Sequence, residues 1–213
     1  MIIIKDEQEI EKMRKAGSIL ARISNVLQRH IRPDISTAEL DEVAKSEFTK
    51  YGVVSAFKGY RGFPASICTS VNEEVVHGIP GERTLNEGDI VSVDIGIKSD
   101  GYYVDMAFTH PVGRAKSELK KYITITRESL MKGIQQAKID NCISDISHAI
   151  QVHAETNGLS VVRDFVGHGI GKDLHEEPQI PNFGRPHEGA SIQEGMVFAI
   201  EPMLNLGTWE VDI

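Results

Sequence analysis

Residues 90–109 constrain the fold most, because they contain two long runs rich in β-branched and aromatic residues, joined by a tight turn. The first run covers residues 90–97, and the second returns over residues 102–109. Between them, Ser99-Asp100-Gly101 supplies residues that favour a turn. The sequence therefore predicts a β-hairpin, and with it an antiparallel sheet.

Apolar residues at helical spacing predict two helices before the hairpin and two after it. The first covers about residues 6–29, and the second begins at Ser36, where Ser36-Thr37-Ala38-Glu39 fits a capping box, and ends near Gly52. The later pair covers about residues 117–138 and 144–157. The predicted apolar stripe of the third helix consists of Leu119, Ile123, Leu130 and Ile134.

Further strands are predicted at residues 67–71, 160–166 and 196–200, and residues 203–213 also have an extended pattern. The order is helices, strands, helices, strands, which indicates two α+β halves of similar plan. The sequence shows no repeat, low-complexity tract or linker. We therefore expect one domain over residues 1–213.

Composition excludes several classes of protein. The net charge of −8 argues against a nucleic-acid-binding protein, which normally has a basic face. No apolar run approaches the roughly 18 residues of a membrane span, and the opening Met1-Ile2-Ile3-Ile4 is followed at once by charged residues, unlike a signal peptide. Cys68 and Cys142 lack CxxC spacing, which argues against a thiolate zinc site or a disulfide framework. A cytoplasmic protein is expected.

Two aspartates lie within the predicted hairpin. Asp94 follows Val93, and Asp105 lies between Val104 and Met106 on the returning strand. A carboxylate among apolar strand residues has a desolvation cost unless it meets a cation or hydrogen-bond donors. Two carboxylates brought together by a hairpin favour a bound cation. For either aspartate alone, capping a turn or facing solvent is an equally good explanation.

A histidine and a glutamate occupy unusual settings further along the chain. His168 lies in Gly167-His168-Gly169-Ile170-Gly171, where the glycines allow unusual backbone angles and close approach. A phosphate-binding loop is a weaker alternative, because no clear apolar helix follows, and a lone histidine is usually structural. Glu201 ends an apolar run and precedes Pro202, which is a poor setting for a solvated surface residue. We interpret both as functional candidates.

Two more histidines stand beside turn-forming residues. His77 precedes Gly78 and is expected at a strand end, although a packed histidine at a turn explains it equally well. His175 opens His175-Glu176-Glu177-Pro178, which is not the HExxH motif of zinc peptidases, because Gln179 stands where the second histidine would be.

Together these segments resemble type I methionine aminopeptidases, from Glu7 to about Leu206. Seven motifs carry the resemblance, in this order: Glu11-Lys12-Met13-Arg14-Lys15-Ala16-Gly17, Cys68-Thr69-Ser70-Val71-Asn72-Glu73, Val76-His77-Gly78-Ile79-Pro80, Asp94-Ile95-Gly96 with Asp105, Gly167-His168-Gly169-Ile170-Gly171, His175-Glu176-Glu177-Pro178 and Ile200-Glu201-Pro202. The resemblance implies the α+β pitta-bread (creatinase/aminopeptidase) fold. In it, two pseudo-symmetric halves with a curved antiparallel sheet covered by helices enclose two divalent metal ions.

The resemblance also implies roles for individual residues. Asp94, Asp105, His168 and Glu201 would be metal ligands, with Asp105 bridging both ions. Glu201, His77 and His175 would be catalytic, His77 near the scissile amide nitrogen and His175 near its carbonyl. The methionine pocket would be lined by Tyr60, Phe63, Cys68 and Leu174. Leu174 departs from the family, which often has phenylalanine there, but it still suits an apolar guest.

One departure concerns the end of the chain. The family has a second bridging glutamate in a final strand, after a segment that supplies a pocket tryptophan, and this sequence ends at Ile213 with neither. It therefore resembles a member truncated in mid-strand, with the final strands missing. Glu210 is the only later glutamate, and its alternation with Trp209 and Val211 predicts a solvent-facing position.

The expected function is removal of the initiator methionine from nascent proteins and peptides with a small second residue. Cobalt, manganese, iron and zinc all suit the implied oxygen-rich ligand set. The implied partners are nascent polypeptide N-termini, met at the ribosome by a monomeric enzyme with no nucleic-acid or membrane role. Two alternatives stay open: a proline-specific peptidase of the same fold, and a peptide-binding module without catalysis.

Overall fold

The structure, a computed structural model, describes residues 1–212 and divides into two compact units. We call Gln8–Lys120 with Lys172–Leu174 the hairpin unit. We call Met1–Glu7, Lys121–Gly171 and the residues from His175 onward the histidine unit. Both contain helices and antiparallel strands, so the α+β class predicted from the sequence is confirmed.

The hairpin unit begins with two helices. Its elements are α1 (Glu7–His30), α2 (Thr37–Tyr51), β1 (Val54–Ser55), a 3-10 helix (Tyr60–Gly62), β2 (Cys68–Val71), β3 (Ile90–Ser99) and β4 (Tyr102–Pro111). The predicted capping box is present at the start of α2: the Ser36 backbone N–H donates to Glu39 Oε2 at 2.8 Å, and the Glu39 N–H donates to Ser36 Oγ at 3.2 Å. Gly52 ends α2 in the left-handed conformation, as predicted.

The predicted hairpin is also confirmed. Strand β3 pairs with β4 along its whole length, and its other edge pairs with β2 and β1. Val91, Val93 and Ile95 are fully buried, so these alternate residues of β3 face the core. The remaining positions, which include Asp94, therefore lie on the opposite face of the sheet.

The histidine unit has its own core. Its elements are α3 (Ser117–Ile134, of which the first four residues belong to the hairpin unit), α4 (Ile143–Thr156), β5 (Ser160–Val161), β6 (Gly167–Gly169), β7 (Glu176–Ile180), β8 (Phe198–Ala199) and β9 (Leu204–Asn205). Strand β6 lies between β7 and β8, and β5 pairs with β9. Ile146 and Ile150 of α4 pack in a cluster that also includes Ile180 of β7 and Leu204 of β9. This packing supports the strands that carry the candidate site.

The prediction for the third helix was wrong in its end and its buried face. Helix α3 ends at Ile134, and its buried residues are Ile125, Ser129 and Gly133. A Cβ atom at Gly133 would lie 2.8 Å from Ile150 Cγ1, so the bare glycine lets α3 approach α4 on this side. The Ser129 hydroxyl donates to the Ile125 carbonyl oxygen at 2.9 Å, which satisfies a polar group in the contact.

Three predicted strands were too long. Residues 160–166 contain only the two-residue β5, residues 196–200 only β8, and the extended segment from residue 203 only β9. The chain bends at residues 163–164, and Gly207 with φ of 102° ends the last pairing. Glu210 is exposed, as predicted, and Ile213 lies outside the described residues. Among the described residues, no helix is long and apolar enough to cross a membrane.

Candidate metal centre and substrate-binding residues

The two candidate aspartates lie on one face of the hairpin. Asp94 on β3 is opposite Ala107, and Asp105 on β4 is opposite Gly96, so the aspartates are diagonal neighbours on adjacent strands. Such neighbours are separated by about 7–8 Å between Cα atoms, a distance that short side chains can narrow. Both aspartates are half-buried, and the Asp105 Oδ1 atom is shielded from solvent. The hairpin unit thus offers a pair of carboxylates on the face away from the core.

Cys68 lies beside these carboxylates. It is opposite Asp94 in the pairing of β2 with β3, and its side chain is buried. Burial raises the pKa of the Cys68 thiol, and the negative charges of Asp94 and Asp105 raise this pKa further. The thiol is therefore neutral at physiological pH and offers a small apolar surface.

The other predicted pocket residues also lie in the hairpin unit. Tyr60 and Phe63 belong to one tight loop, in which the Gly59 N–H donates to the Phe63 carbonyl oxygen at 2.8 Å and the Phe63 N–H to the Tyr60 carbonyl oxygen at 2.9 Å. Leu174 is buried, in the short segment Lys172–Leu174. The structure thus places two aromatic rings on the loop that leads into β2 and its Cys68.

His77 is not at a strand end, contrary to the prediction. It is exposed in the segment between β2 and β3, with φ of 61°. The next residue, Gly78, donates its N–H to Ser70 Oγ at 3.1 Å and accepts a hydrogen bond from the Thr69 N–H at 2.8 Å. A Cβ atom at Gly78 would lie 2.1 Å from the Thr69 carbonyl oxygen. This close approach holds the segment beside β2, and His77 takes the left-handed conformation there.

His168 is buried on β6 between two flanking glycines. A Cβ atom at Gly167 would lie 2.4 Å from the Ala199 carbonyl oxygen, and one at Gly169 would lie 2.3 Å from the Glu177 carbonyl oxygen. The glycines therefore let β6 approach β8 and β7 closely, as the sequence predicts. Neither has a positive φ, so the unusual backbone angles also allowed by glycine are not used here.

His168 and Glu201 form the best-defined contact of the candidate site. His168 Nε2 lies 3.1 Å from Glu201 Oε1, and His168 Nδ1 lies 2.8 Å from the Gly169 carbonyl oxygen. A carbonyl can only accept, so Nδ1 carries a proton, and a ring without a second proton presents the lone pair of Nε2 to a carboxylate oxygen. Two acceptors this close need a cation between them, either a proton or a metal ion. This donor set fits a divalent metal.

His175 lies beside this contact. The centroids of its ring and the His168 ring are 4.3 Å apart, and the His175 side chain is exposed. Its neighbour Glu176 pairs with Lys5 at 2.6 Å, with both side chains 3% exposed. Lys5 was not predicted from the sequence, where its only signal is a charge directly after an apolar run. Asn182, which donates from Nδ2 to the Glu201 carbonyl oxygen at 2.9 Å, was not predicted either.

Comparison with known proteins agrees with this arrangement. The profile of metallopeptidase family M24 matches residues 11–212. Methionine aminopeptidase from Clostridium perfringens is 53% identical over 99% of this chain and 85% of its own length. Methionine aminopeptidase 1 from Bacillus subtilis is 53% identical over 98% of this chain and 84% of its own length.

The fold agrees as well. The crystal structure of methionine aminopeptidase from Thermotoga maritima superposes with a TM-score of 0.98 at 44% identity, covering 100% of this chain and 86% of that chain. The predicted pitta-bread fold is therefore confirmed. The near-complete profile match and the relatives over half identical together show that this chain belongs to metallopeptidase family M24, among its methionine aminopeptidases.

Proposed function

We propose that this chain is a metal-dependent aminopeptidase that removes the initiator methionine from nascent proteins and peptides with a small second residue. The observation that carries the proposal is the 53% identity, over nearly the whole chain, to proteins named methionine aminopeptidase. The same observation disfavours the two alternatives, a proline-specific peptidase and a binding module without catalysis.

The metal centre in this proposal combines four ligands. Asp94, Asp105, His168 and Glu201 would hold two divalent ions, and Asp105 would be a ligand to both. The facing lone pairs of His168 Nε2 and Glu201 Oε1 support it. Bound ions would supply a nucleophile at neutral pH and polarise the scissile carbonyl. One imidazole among carboxylates is a fairly hard ligand set, which suits cobalt, manganese or iron at least as well as zinc.

The residues of the chain do the remaining chemistry in this proposal. Glu201 takes a proton from the attacking water and passes it to the leaving amine, because a carboxylate can accept and donate in turn. His175 donates a hydrogen bond to the oxygen on which negative charge develops, so its contribution is greatest in the transition state. His77 binds near the scissile amide nitrogen and orients it.

The methionine side chain occupies an apolar pocket lined by Tyr60, Phe63, Cys68 and Leu174. The raised pKa of the Cys68 thiol supports this assignment, because a neutral thiol can contact an apolar guest without a desolvated charge. Leu174 is buried and Tyr60 is partly exposed, which suits the floor and the mouth of a pocket respectively.

The proposed setting is the cytoplasm, where one catalytic domain spanning residues 1–213 acts as a monomer on nascent N-termini at the ribosome. The net charge of −8 is consistent with substrate contact through the peptide rather than through nucleic acid.

The decisive experiment compares two peptides with the purified chain after loading with manganese, cobalt, iron or zinc. We expect release of methionine from Met-Ala-Ser and no cleavage of Ala-Pro-Ser. Cleavage of only the proline peptide would favour the proline-specific alternative. Saturable binding of the methionine peptide without cleavage by any metal-loaded form would favour the binding module. Asp94→Ala is the matched control, and we expect it to lose metal by calorimetry and methionine release together.

A further inference from the structure

Lys5 and Glu176 form a buried ion pair that the proposed chemistry does not use. The Lys5 Nζ atom lies 2.6 Å from Glu176 Oε2, and each side chain is only 3% exposed. Nζ also donates to the Ile3 carbonyl oxygen at 3.1 Å. Removing two charges from water has a large desolvation cost. Apolar residues of similar size in the same place often stabilise a protein at least as much as a buried ion pair does. A role beyond stability therefore explains the pair better.

The fold is shaped around Lys5. A Cβ atom at Gly171 would lie 2.5 Å from Lys5 Cε and 2.7 Å from Glu176 Oε1, so only glycine leaves room for the pair. Gly195, with φ of 89°, accepts a hydrogen bond from the Lys5 N–H at 2.9 Å. A Cβ atom there would lie 2.6 Å from the Lys5 carbonyl oxygen. Two glycines from separate loops thus fit closely around the lysine and its backbone.

Glu176 connects this pair to the candidate site. It directly follows His175 and pairs with Gly169, next to His168, where the register of β6 and β7 shifts at a bulge. A bulge disrupts the hydrogen-bond ladder locally, so the ladder holds the backbone less firmly there and side-chain contacts matter more. His175 is exposed, so packing constrains its ring less than it constrains the buried Glu176 next to it. The ion pair is therefore placed to fix the backbone from which His175 projects.

We propose that Lys5, acting through Glu176, is a positioning residue that holds the His175 imidazole in its working orientation beside His168. The inference rests on the proposed function, in which His175 donates to the developing oxyanion. A group that acts in the transition state must be held within about 0.5 Å of its working position, and a displacement of about 1 Å can cost a hundredfold in rate. A buried, directional ion pair provides that constraint from outside the substrate site.

The test uses the full chain loaded with zinc and the variant K5M/E176M, which replaces both charges with side chains of similar size. Such a replacement is expected to preserve folding, whereas K5M alone would strand a buried carboxylate. We expect kcat for Met-Ala-Ser to fall about 10- to 100-fold and KM to change less than threefold, because the lost interaction belongs to the transition state.

In an H175A background, the same double replacement should cause no further loss of kcat. K50M, which removes an exposed lysine paired with Glu47, is the matched control and should leave kcat unchanged.

A second measurement does not depend on activity. Imidazole ¹H–¹⁵N spectra, with the His175 signal assigned by its loss in H175A, should show one sharp set of peaks in the wild type. In K5M/E176M we expect this set to shift and broaden or to split. Unchanged His175 peaks, unchanged kcat, or an equal loss of kcat in the H175A background would each overturn the proposal. If the wild type releases no methionine when loaded with manganese, cobalt, iron or zinc, the proposed function fails, and the spectra still decide whether Lys5 positions His175.

Discussion

His168 Nε2 lies 3.1 Å from Glu201 Oε1, while Nδ1 of the same ring is bonded to the Gly169 carbonyl oxygen. A backbone carbonyl beyond a metal-binding histidine fixes both the tautomer and the ring plane, and it raises the basicity of the other nitrogen. The register of β6 and β7 shifts between His168 and Gly169, the residue whose carbonyl oxygen the His168 ring contacts. In the proposed metal centre, this arrangement would hold the two side chains in place before an ion binds.

Replacing Glu201 with glutamine should weaken metal binding at this pair. The amide keeps the shape of the side chain but removes the charge that balances the cation. Changes in groups that only support metal ligands cost about 10- to 100-fold in affinity, so we expect at least that loss for a ligand itself. Isothermal calorimetry with manganese measures the effect. Glu210→Gln, at an exposed glutamate of the same unit, is the control. Equal affinities for wild type and Glu201→Gln would exclude a metal ion at this contact.

Gly169→Ala and Gly17→Ala should have opposite effects on stability. At Gly169 the new Cβ would lie 2.3 Å from the Glu177 carbonyl oxygen, so β6 and β7 must separate, and we expect a loss of about 3 kcal/mol or more. At Gly17, inside α1, the new Cβ would have no neighbouring atom of the fold within 4 Å, and alanine should stabilise the helix by about 0.5–1 kcal/mol. Urea unfolding of both variants checks this. A Gly169→Ala protein as stable as the wild type would contradict the close strand approach.

The sequence predicts those parts of the fold that depend on neighbours along the chain. The β3–β4 hairpin has its turn, its β-branched residues and its alternation within twenty-two residues, Ile90–Pro111. The capping box of α2 needs only Ser36 and Glu39. In both cases the interacting groups are close in sequence, so residue type and spacing are sufficient.

The wrong placement of His77 and the unpredicted Lys5–Glu176 pair both come from contacts between segments that are not neighbours in the local sequence pattern. The left-handed backbone of His77 goes with the approach of Gly78 to Thr69, and the pair of Lys5 with Glu176 joins residues 171 positions apart. No local pattern carries either contact. The candidate ligands were recognised by the order of their motifs, since each of them alone also has an ordinary structural explanation.

The buried face of α3 also depends on a contact between distant segments, and it predicts different stability losses for two isoleucines of this helix. Ile125 is 4% exposed and packs in the core of the histidine unit, whereas Ile134 is 44% exposed. Ile125→Ala should therefore cost about 2–5 kcal/mol, while Ile134→Ala should stay within about 0.5 kcal/mol of the wild type. Urea unfolding distinguishes them. The apolar stripe predicted from the sequence includes Ile134 and would give a large loss of stability for Ile134→Ala instead. That stripe is wrong because helical spacing of apolar residues does not reveal that α3 contacts α4 through Gly133.

Asp145 makes stability depend on pH in the acid range. Its carboxylate accepts hydrogen bonds from the Cys142 N–H at 2.7 Å and the His187 N–H at 2.9 Å. The hydrogen bond from the Cys142 N–H, then the bond from the His187 N–H and the charges of the His187 and His148 imidazoles, hold the pKa of Asp145 below its ordinary value of 3.8, although burial acts in the opposite direction. Because the folded pKa is the lower one, the stabilisation is complete above pH 3.8 and is lost as the pH falls through the folded pKa.

Asp145→Asn should therefore lower the free energy of unfolding by about 1–2 kcal/mol at pH 7, because the amide has one acceptor oxygen and its NH2 group cannot accept the second N–H. The difference from the wild type should be no smaller at pH 5 than at pH 7, and it should shrink below the ordinary value of 3.8. Urea unfolding at pH 7, 5 and 3 measures it, with Asp164→Asn at an exposed position as the control. A difference that grows as the pH falls below 3.8 would mean that Asp145 is protonated more readily in the folded state, which would contradict the two short bonds to its carboxylate.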